Sequence, residues 1–322
     1  MQLNKTINLL TLGIGLTMML VLAGCSHLPN NTEPNLRKAK IVESIDLADM
    51  TSNAIALAEQ DSDAKVLVIF DVDNTLLTMP QDLGGDGWFG WQSTLLETEP
   101  TSTSLAVRDF SELIYLQGAF FSINEMTLTQ PDAPDLLSSL HESNIQTIAV
   151  TARGHEFRGS TLRELKNNDL MFPLHPTCGK PLCSKSGLIN SQIISDSVSA
   201  LRGTTDQNKY RTVSISDGLV MLAGQDKGLF LELILESLAG EKFTHILVAD
   251  DSKKNIENYY KAAPNIDAEL VLYHYTKIED ETPPIESSVA RRQKLTTDTK
   301  RIKQAICLAV QSPWCEANSS PR

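Results

Sequence analysis

The chain has 322 residues, of which 41% are hydrophobic and 21% are charged, and this balance excludes disorder over its whole length. The length suits one large domain or a core domain with an inserted cap. The net charge of −12 argues against a nucleic-acid partner, because phosphate backbones are bound by clustered Lys and Arg side chains.

The N-terminal segment is predicted to direct export. Lys5 provides a positive charge and residues 7–22 are almost continuously apolar or small, so residues 1–24 are interpreted as a signal peptide. The sequence LAGC that ends at Cys25 resembles the lipobox of bacterial lipoproteins, which implies that Cys25 is lipidated and becomes the mature N-terminus. A membrane-spanning anchor with an incidental Cys is the alternative.

Residues 25–38 are polar and rich in Pro and Asn, which is typical of a tether, here lipidated at its first residue. Ser26 stands where inner-membrane lipoproteins often carry Asp, so we expect a Gram-negative outer-membrane lipoprotein that faces the periplasm. The folded domain is expected to occupy residues 39–322 and to be held at the membrane through the lipid on Cys25.

Apolar runs and helical periodicity alternate along the predicted domain. Residues 39–58 have apolar positions at helical spacing, which predicts a helix leading into the domain. Buried strands are predicted at residues 66–70, 146–150, 245–249 and 269–274, and helices at residues 133–143, 156–168 and 227–238. This alternation predicts an α/β fold with a doubly wound parallel sheet that is covered on both faces.

Two long segments do not fit this alternation and are predicted to be insertions over the site. Residues 78–129 form the first, a cap, and residues 170–224 form the second. The cap contains Trp88, Phe89 and Trp91, which we expect to be core residues of the cap. Stacking of these rings on an aromatic leaving group is the alternative.

Apart from Cys25, the cysteines form two local pairs, Cys178 with Cys183 and Cys307 with Cys315. An oxidising compartment favours disulfides, and pairing within each local pair is the simplest of three connectivities. A zinc site is the alternative, which the spacing does not favour, because neither pair is CxxC and no His lies in a matching position.

Polar residues follow the predicted strands. Asp71 and Asp73 come directly after the strand at 66–70, where one carboxylate can act as a nucleophile and the other can transfer a proton. Thr151, Ala152 and Arg153 follow the next strand, where a hydroxyl and backbone N–H groups can hold phosphoryl oxygens. Each of these groups alone is unspecific.

The last two groups complete an ordered set. Lys227 begins a predicted helix, where its ammonium can neutralise charge on a nucleophile and a phosphate. Asp250 and Asp251 end a predicted strand and, with Asp71, offer the oxygen ligands that Mg²⁺ prefers. Because parallel strands end at one edge of a sheet, we expect all four groups to meet there.

The order DxDxT, TAR, K, DD resembles the four motifs of the haloacid dehalogenase (HAD) superfamily of phosphohydrolases, over roughly residues 65–258. The resemblance implies a HAD-like, Rossmannoid fold and a Mg²⁺-dependent phosphomonoesterase that acts on a phosphorylated small molecule. The roles it implies are a nucleophile and metal ligand at Asp71, a general acid/base and carbonyl metal ligand at Asp73, phosphoryl binding at Thr151, Ala152 and Arg153, charge stabilisation at Lys227, and metal ligation at Asp250 and Asp251.

The second Asp of the first motif separates branches of this superfamily, because dehalogenases lack an Asp there, so Asp73 favours phosphatase chemistry. The chain resembles an uncharacterised bacterial group of the superfamily, a domain of unknown function, and more distantly the class C acid phosphatases. The alternative function is a catalytically inactive lipoprotein that serves as a binding module. Two side chains also stay open: Arg153 clamps a phosphate or forms an ion pair, and Asn255 orients the Asp pair or lies on a helix surface.

Overall fold

The structure is a computed structural model that describes residues 39–172, 187–203, 209–216, 218–237, 242–310 and 315. The predicted signal peptide, Cys25, the tether, Cys178 and Cys183 lie outside the described residues. Among the residues described, no helix is both long and apolar enough to span a bilayer.

Strands and helices alternate over most of the chain. The strands are β1 (Ala39–Ser44), β2 (Val66–Phe70), β3 (Leu77–Thr78), β4 (Thr127–Leu128), β5 (Gln146–Thr151), β6 (Gly187–Ile189), β7 (Val213–Ser216), β8 (Leu219–Met221), β9 (His245–Asp250) and β10 (Glu269–Tyr275). The helices are α1 (Leu47–Gln60), α2 (Asp86–Thr98), α3 (Phe110–Ile123), α4 (Ala133–Glu142), α5 (Arg158–Asn167), α6 (Ser191–Arg202), α7 (Lys227–Ser237), α8 (Lys253–Ala262), α9 (Lys277–Glu281) and α10 (Val289–Ala309).

The main sheet has eight strands in the order β1-β10-β9-β2-β5-β8-β7-β6. From β1 to β8 neighbouring strands are parallel, whereas β8, β7 and β6 pair antiparallel. The α/β fold expected from the sequence is confirmed, but the sheet is mixed rather than wholly parallel. The reason is local: two residues separate β7 from β8, and so short a connection joins only antiparallel strands.

The strand β2 lies in the middle of the parallel part, and its side chains alternate between two hydrophobic clusters. Leu67 and Ile69 pack in the cluster that contains residues of α7 and α8. Val68 and Phe70 pack in the cluster that contains residues of α1 and α4. Both faces of the sheet are therefore covered by helices, which explains why β2 is a continuous apolar run without polar alternation.

The single helix predicted over residues 39–58 is wrong at its N-terminal part. The strand β1 pairs in parallel with β10 at the sheet edge, and α1 begins only at Leu47. The Asp46 side chain accepts a hydrogen bond from the Ala48 N–H and caps the helix there. Pairing with β10 decides this segment, and the β-branched Ile41 and Val42 suit a strand.

The helices α2 and α3, from the predicted cap segment, pack with α10 around a third cluster of apolar side chains. Trp88 and Trp91 are buried in this cluster, as expected for core residues, and the Trp88 Nε1–H donates to Thr299 Oγ1 at 3.2 Å. Cys307, near the end of α10, is disulfide-bonded to Cys315, with the Cα atoms 5.2 Å apart. This bond is one of the two local pairings considered from the sequence.

Candidate active site

Three parallel strands bring the site together. The strand β2 lies between β5 and β9, and Asp71 follows the last residue of β2. Thr151 is the last residue of β5, and Asp250 is the last residue of β9. Because the three strands are parallel, these side chains lie at one edge of the sheet, as the sequence predicts.

Lys227, in the first turn of α7, lies at the same site. Asp226 precedes it, and the Asp226 Oδ1 accepts a hydrogen bond from the Leu229 N–H at 3.0 Å, which caps the start of the helix. Gly228 lets α7 approach α8 closely, because a Cβ at this position would lie 2.2 Å from the backbone oxygen of Asn258. The cap and the close helix contact together fix where Lys227 enters the site.

The Lys227 ammonium lies between two carboxylates. Its Nζ donates to Asp71 Oδ1 and to Asp250 Oδ2, each at 2.6 Å, and all three side chains are buried. Burial alone would lower the pKa of Lys227, but the carboxylates of Asp250 and Asp71 outweigh it and raise that pKa above its ordinary value. Lys227 therefore stays charged in the folded protein.

The second oxygen of Asp250 is also held. Its Oδ1 accepts hydrogen bonds from the Ser252 N–H and from Asn255 Nδ2, each at 3.0 Å. Of the two alternatives for Asn255, the structure therefore shows the one in which this side chain orients the carboxylate. With Lys227 on Oδ2, the Asp250 carboxylate is fixed in one orientation.

Asp71, Asp250 and Asp251 form an acidic cluster in which one oxygen of each lies within 4.8 Å of the others. Burial raises the pKa of Asp71 to about 8, with the charges of Asp250 and Asp73 adding to the rise and Lys227 opposing it. Burial and the neighbouring carboxylates also raise the pKa of Asp251 well above its ordinary value. The mutual repulsion of these carboxylates contributes to both rises, and their hard oxygen donors fit a divalent cation that would offset it.

Asp73 is placed differently from Asp71. Its carboxylate forms a bidentate ion pair with Arg153, with Nε–Oδ2 at 2.9 Å and Nη2–Oδ1 at 2.7 Å. Arg153 is buried, donates from Nη1 to Thr161 Oγ1, and lies 3.8 Å from the centroid of the Phe121 ring. Of the two alternatives for Arg153, the structure shows the ion pair, and direct contact of this guanidinium with a substrate stays a prediction.

The loop after β5 is braced by the loop before α7. The Arg153 N–H donates to Thr151 Oγ1 at 3.1 Å, and the Ala152 carbonyl accepts from the Gly224 N–H at 2.7 Å. Thr151 is fully buried, and its Oγ1 lies 3.5 Å from Asp73 Oδ2. The phosphoryl-binding roles implied for Thr151 and Ala152 stay predictions; Thr151 lies beside Asp73, and Ala152 lines the same cavity as Asp73.

Two further residues, Thr75 and Asp86, belong to the site although no role was expected for them from the sequence. The buried Thr75 accepts a hydrogen bond from the Asp251 N–H at 3.0 Å and so ties the loop after β2 to the loop after β9. The quoted motif DxDxT contained this signal, since Thr75 is its last position.

Asp86, at the start of α2, enters the site from the predicted cap segment. Its side chain is exposed by surface area but lies in a concave cleft, and enclosure by protein raises its pKa to about 6, with Asp73 and Asp250 adding to the rise. A lone Asp between glycines gave no signal in the sequence.

A family model described as a protein of unknown function (DUF2608) matches residues 48–305. No curated protein matches the sequence. Among solved structures, the class C acid phosphatase from Bacillus anthracis is similar, with 9% identity, coverage of 78% of this chain and 87% of that chain, and a TM-score of 0.32. The same enzyme with tungstate bound has 10% identity, coverage of 78% and 90%, and a TM-score of 0.28.

The expected resemblance to an uncharacterised family, a domain of unknown function, is confirmed. The likeness to the phosphatase structures is remote, so the activity is argued from the site.

Proposed function

The chain belongs to the DUF2608 family, and we propose from the geometry of its site that it is a phosphatase. It would hydrolyse phosphomonoesters through a phospho-Asp71 intermediate. The observation that supports this proposal is the buried Lys227 ammonium, bound to both Asp71 and Asp250 where β2 and β9 end. This arrangement orients the Asp71 carboxylate at the carboxyl end of β2 and places a positive charge against it, which favours the ionised form that a nucleophile requires.

Asp71, Asp250 and Asp251 would hold a divalent cation, for which we propose Mg²⁺. When bound, the ion would offset the negative charge of the carboxylates and of a phosphoryl group. The partly buried Asn255 contact would keep Asp250 oriented as a ligand, because groups behind a ligand fix its geometry.

The first half of the reaction transfers the phosphoryl group to the protein. A carboxylate oxygen of Asp71 attacks phosphorus, the bond from phosphorus to the alcohol oxygen breaks, and Asp73 gives its proton to that oxygen. Lys227 offsets the charge on Asp71 and on the phosphoryl oxygens, while Thr151 and Ala152 bind those oxygens. The two hydrogen bonds from Arg153 bind the ionised form of Asp73, which is the form that exists after this proton transfer and that accepts a proton from water in the second half.

The second half releases phosphate. Asp73 takes a proton from water, the water oxygen attacks phosphorus, and the bond between phosphorus and Asp71 breaks. Asp71 returns as a carboxylate bound to Lys227, and Asp73 holds the proton that the next cycle needs. Over the cycle one ester and one water are consumed, and one alcohol and one phosphate are released.

The alternative of a binding module without chemistry is less well supported. Burying an ammonium and two carboxylates is costly, because their desolvation offsets much of the Coulombic gain. Binding of a partner alone does not require a buried ammonium between two carboxylates at the carboxyl ends of the strands. Catalysis by a carboxylate nucleophile does benefit from this arrangement, because the ammonium can stabilise charge in the transition state.

The proposal extends to location. The mature chain would begin at a lipidated Cys25, be tethered by residues 25–38 to the outer membrane, and act on a phosphorylated small molecule in the periplasm. Mass spectrometry of the mature N-terminus tests this part. An acylated Cys25 is the expected result, and an unmodified Cys25 would contradict it.

Turnover of phosphomonoesters by the purified chain with Mg²⁺ tests the activity. Asp71→Asn should abolish turnover, because the amide is a poor nucleophile, whereas Asp63→Asn should leave it unchanged. Asp63 is an exposed residue before β2, so it offers the same chemical change away from the carboxyl end of the strand. Equal turnover in the wild-type chain and the Asp71→Asn variant would refute the proposal.

A further inference from the structure

Two cavities border the site at the carboxyl ends of the strands, and their linings differ. One, of about 350 Å³, is lined largely by polar residues that include Asp86, Asp251 and Arg291. The other, of about 430 Å³, adjoins Asp73 and Arg153 and is lined mainly by aromatic and aliphatic side chains. Its volume lies within the range of about 300–1,000 Å³ that is typical of small-molecule sites.

Two pairs of phenylalanine rings line the second cavity. Phe89 of α2 and Phe110 of α3 meet edge to face, with ring centroids 6.1 Å apart. Phe121 of α3 and Phe157 meet in the same way at 5.3 Å. Ile114 of α3 adds a further apolar side chain to the lining. A flat aromatic group can therefore meet ring faces or edges in this cavity.

The cavity is continuous with the proposed phosphoryl site. The Arg153 guanidinium lies against the Phe121 ring and also binds the Asp73 carboxylate. Asp73 is the group that would protonate the leaving oxygen, so the alcohol portion of a substrate has to lie next to it. The apolar cavity has Asp73 in its lining and so lies next to that position.

Charged side chains in the lining are either paired or exposed. Asp73 is paired with Arg153, whereas Asp86, Glu156 and Arg211 are exposed, and Glu156 lies 3.3 Å from His155. Phe110 is 48% exposed at this cavity, so its ring is accessible to a ligand. Against the phenylalanine rings a polyhydroxylated alcohol would lose hydrogen bonds to water, whereas an aryl group has none to lose there.

We propose that this cavity, which we call the aryl pocket, binds the alcohol portion of the substrate, and that the substrate is a phosphate monoester of an aromatic alcohol. The inference rests on the proposed function for the phosphoryl end of the substrate. Binding in the aryl pocket does not itself require turnover, so the two can be tested separately.

The test compares two primary phosphate esters, 2-phenylethyl phosphate and a hexose 6-phosphate. Both leave as primary alcohols, so a difference in kcat/KM reports mainly on binding of the alcohol portion. The expected preference for the phenylethyl ester is ~10- to 100-fold, from burial of one aromatic ring. No preference, or a preference for the hexose ester, would overturn the aryl pocket.

Matched variants locate the effect. Phe110→Ala should reduce the preference ~10-fold, because half of one ring pair is lost. Ile123→Ala is the control, since Ile123 lies on the same helix, is 67% exposed and is absent from the cavity lining. An equal change in both variants would overturn the assignment of the pocket.

Calorimetric titration with 2-phenylethylphosphonate, a non-hydrolysable probe, separates this inference from the proposed activity. Binding that weakens in Phe110→Ala but not in Ile123→Ala supports the aryl pocket even if the chain shows no turnover. Turnover without any aryl preference, together with no binding of the phosphonate, refutes the aryl pocket and leaves the phosphatase proposal standing.

Discussion

Lys227→Met is expected to destabilise the metal-free protein strongly. The substitution keeps much of the side-chain volume but removes the ammonium that donates to Asp71 and Asp250, each at 2.6 Å. Both carboxylates are buried, so both would lose their charged partner without gaining water. Removing one member of a buried ion pair typically costs ~3–5 kcal/mol in the free energy of unfolding.

Urea denaturation in the presence of a chelator measures this change, with Lys261→Met as the matched control. Lys261 is largely exposed and pairs with Glu257 one helical turn away, so its loss should cost only ~0.3–0.5 kcal/mol. If Lys227→Met lies within ~1 kcal/mol of the wild-type chain, the buried charge triad is not as described. A catalytic role for Lys227 further predicts loss of turnover in conditions where the variant is folded.

Three other perturbations test the surroundings of the site. Gly228→Ala should destabilise the protein by ~1–3 kcal/mol in urea denaturation, because the new Cβ would meet the Asn258 carbonyl, and wild-type stability would contradict that contact. Asn255→Ala should weaken the affinity for Mg²⁺ ~10- to 100-fold in calorimetric titration, and unchanged affinity would remove Asn255 from the support of the metal site. Hydrogen bonds from Arg291 lower the pKa of Asp82, so its stabilising effect exists above the ordinary Asp titration range and disappears as the pH falls through the lowered value. Asp82→Asn should therefore melt below wild type at pH 7 and like wild type in strong acid, and a difference independent of pH would refute this pairing.

The core of the fold could be predicted because its signals are long and local. The apolar run of β2 and the two carboxylates after it indicate a buried strand that ends at a site. The meeting of the motifs in space then follows from the topology, since parallel strands present their carboxyl ends at one edge of the sheet. The convergence of Asp71, Lys227 and Asp250 is a consequence of that topology.

The edges of the sheet could not be predicted in the same way. The helical spacing of residues 39–58 is real, but β1 is decided by pairing with β10, which lies more than 200 residues away in the chain. The strands β6, β7 and β8 have only three or four residues each, which is too short for a period to show.

The finer details of the site depend on side-chain geometry. Whether Arg153 binds a phosphate or Asp73 cannot be read from spacing, because both partners lie within reach of the loop after β5. Asp86 enters the site from a Gly-rich turn of the predicted cap segment, so its position depends on packing of α2 rather than on any motif. The aryl pocket also depends on the packing of separate elements, since its rings come from α2, α3 and the segment after β5.

The central claim is that Asp71 becomes phosphorylated during turnover. The most direct measurement is rapid acid quenching of the enzyme with a phosphomonoester and Mg²⁺, followed by mass spectrometry of the peptide that contains Asp71. The account predicts a phosphoryl group on Asp71 in the wild-type chain and none in Asp71→Asn. Turnover with no phosphorylated protein, or with the phosphoryl group on another residue, would contradict it.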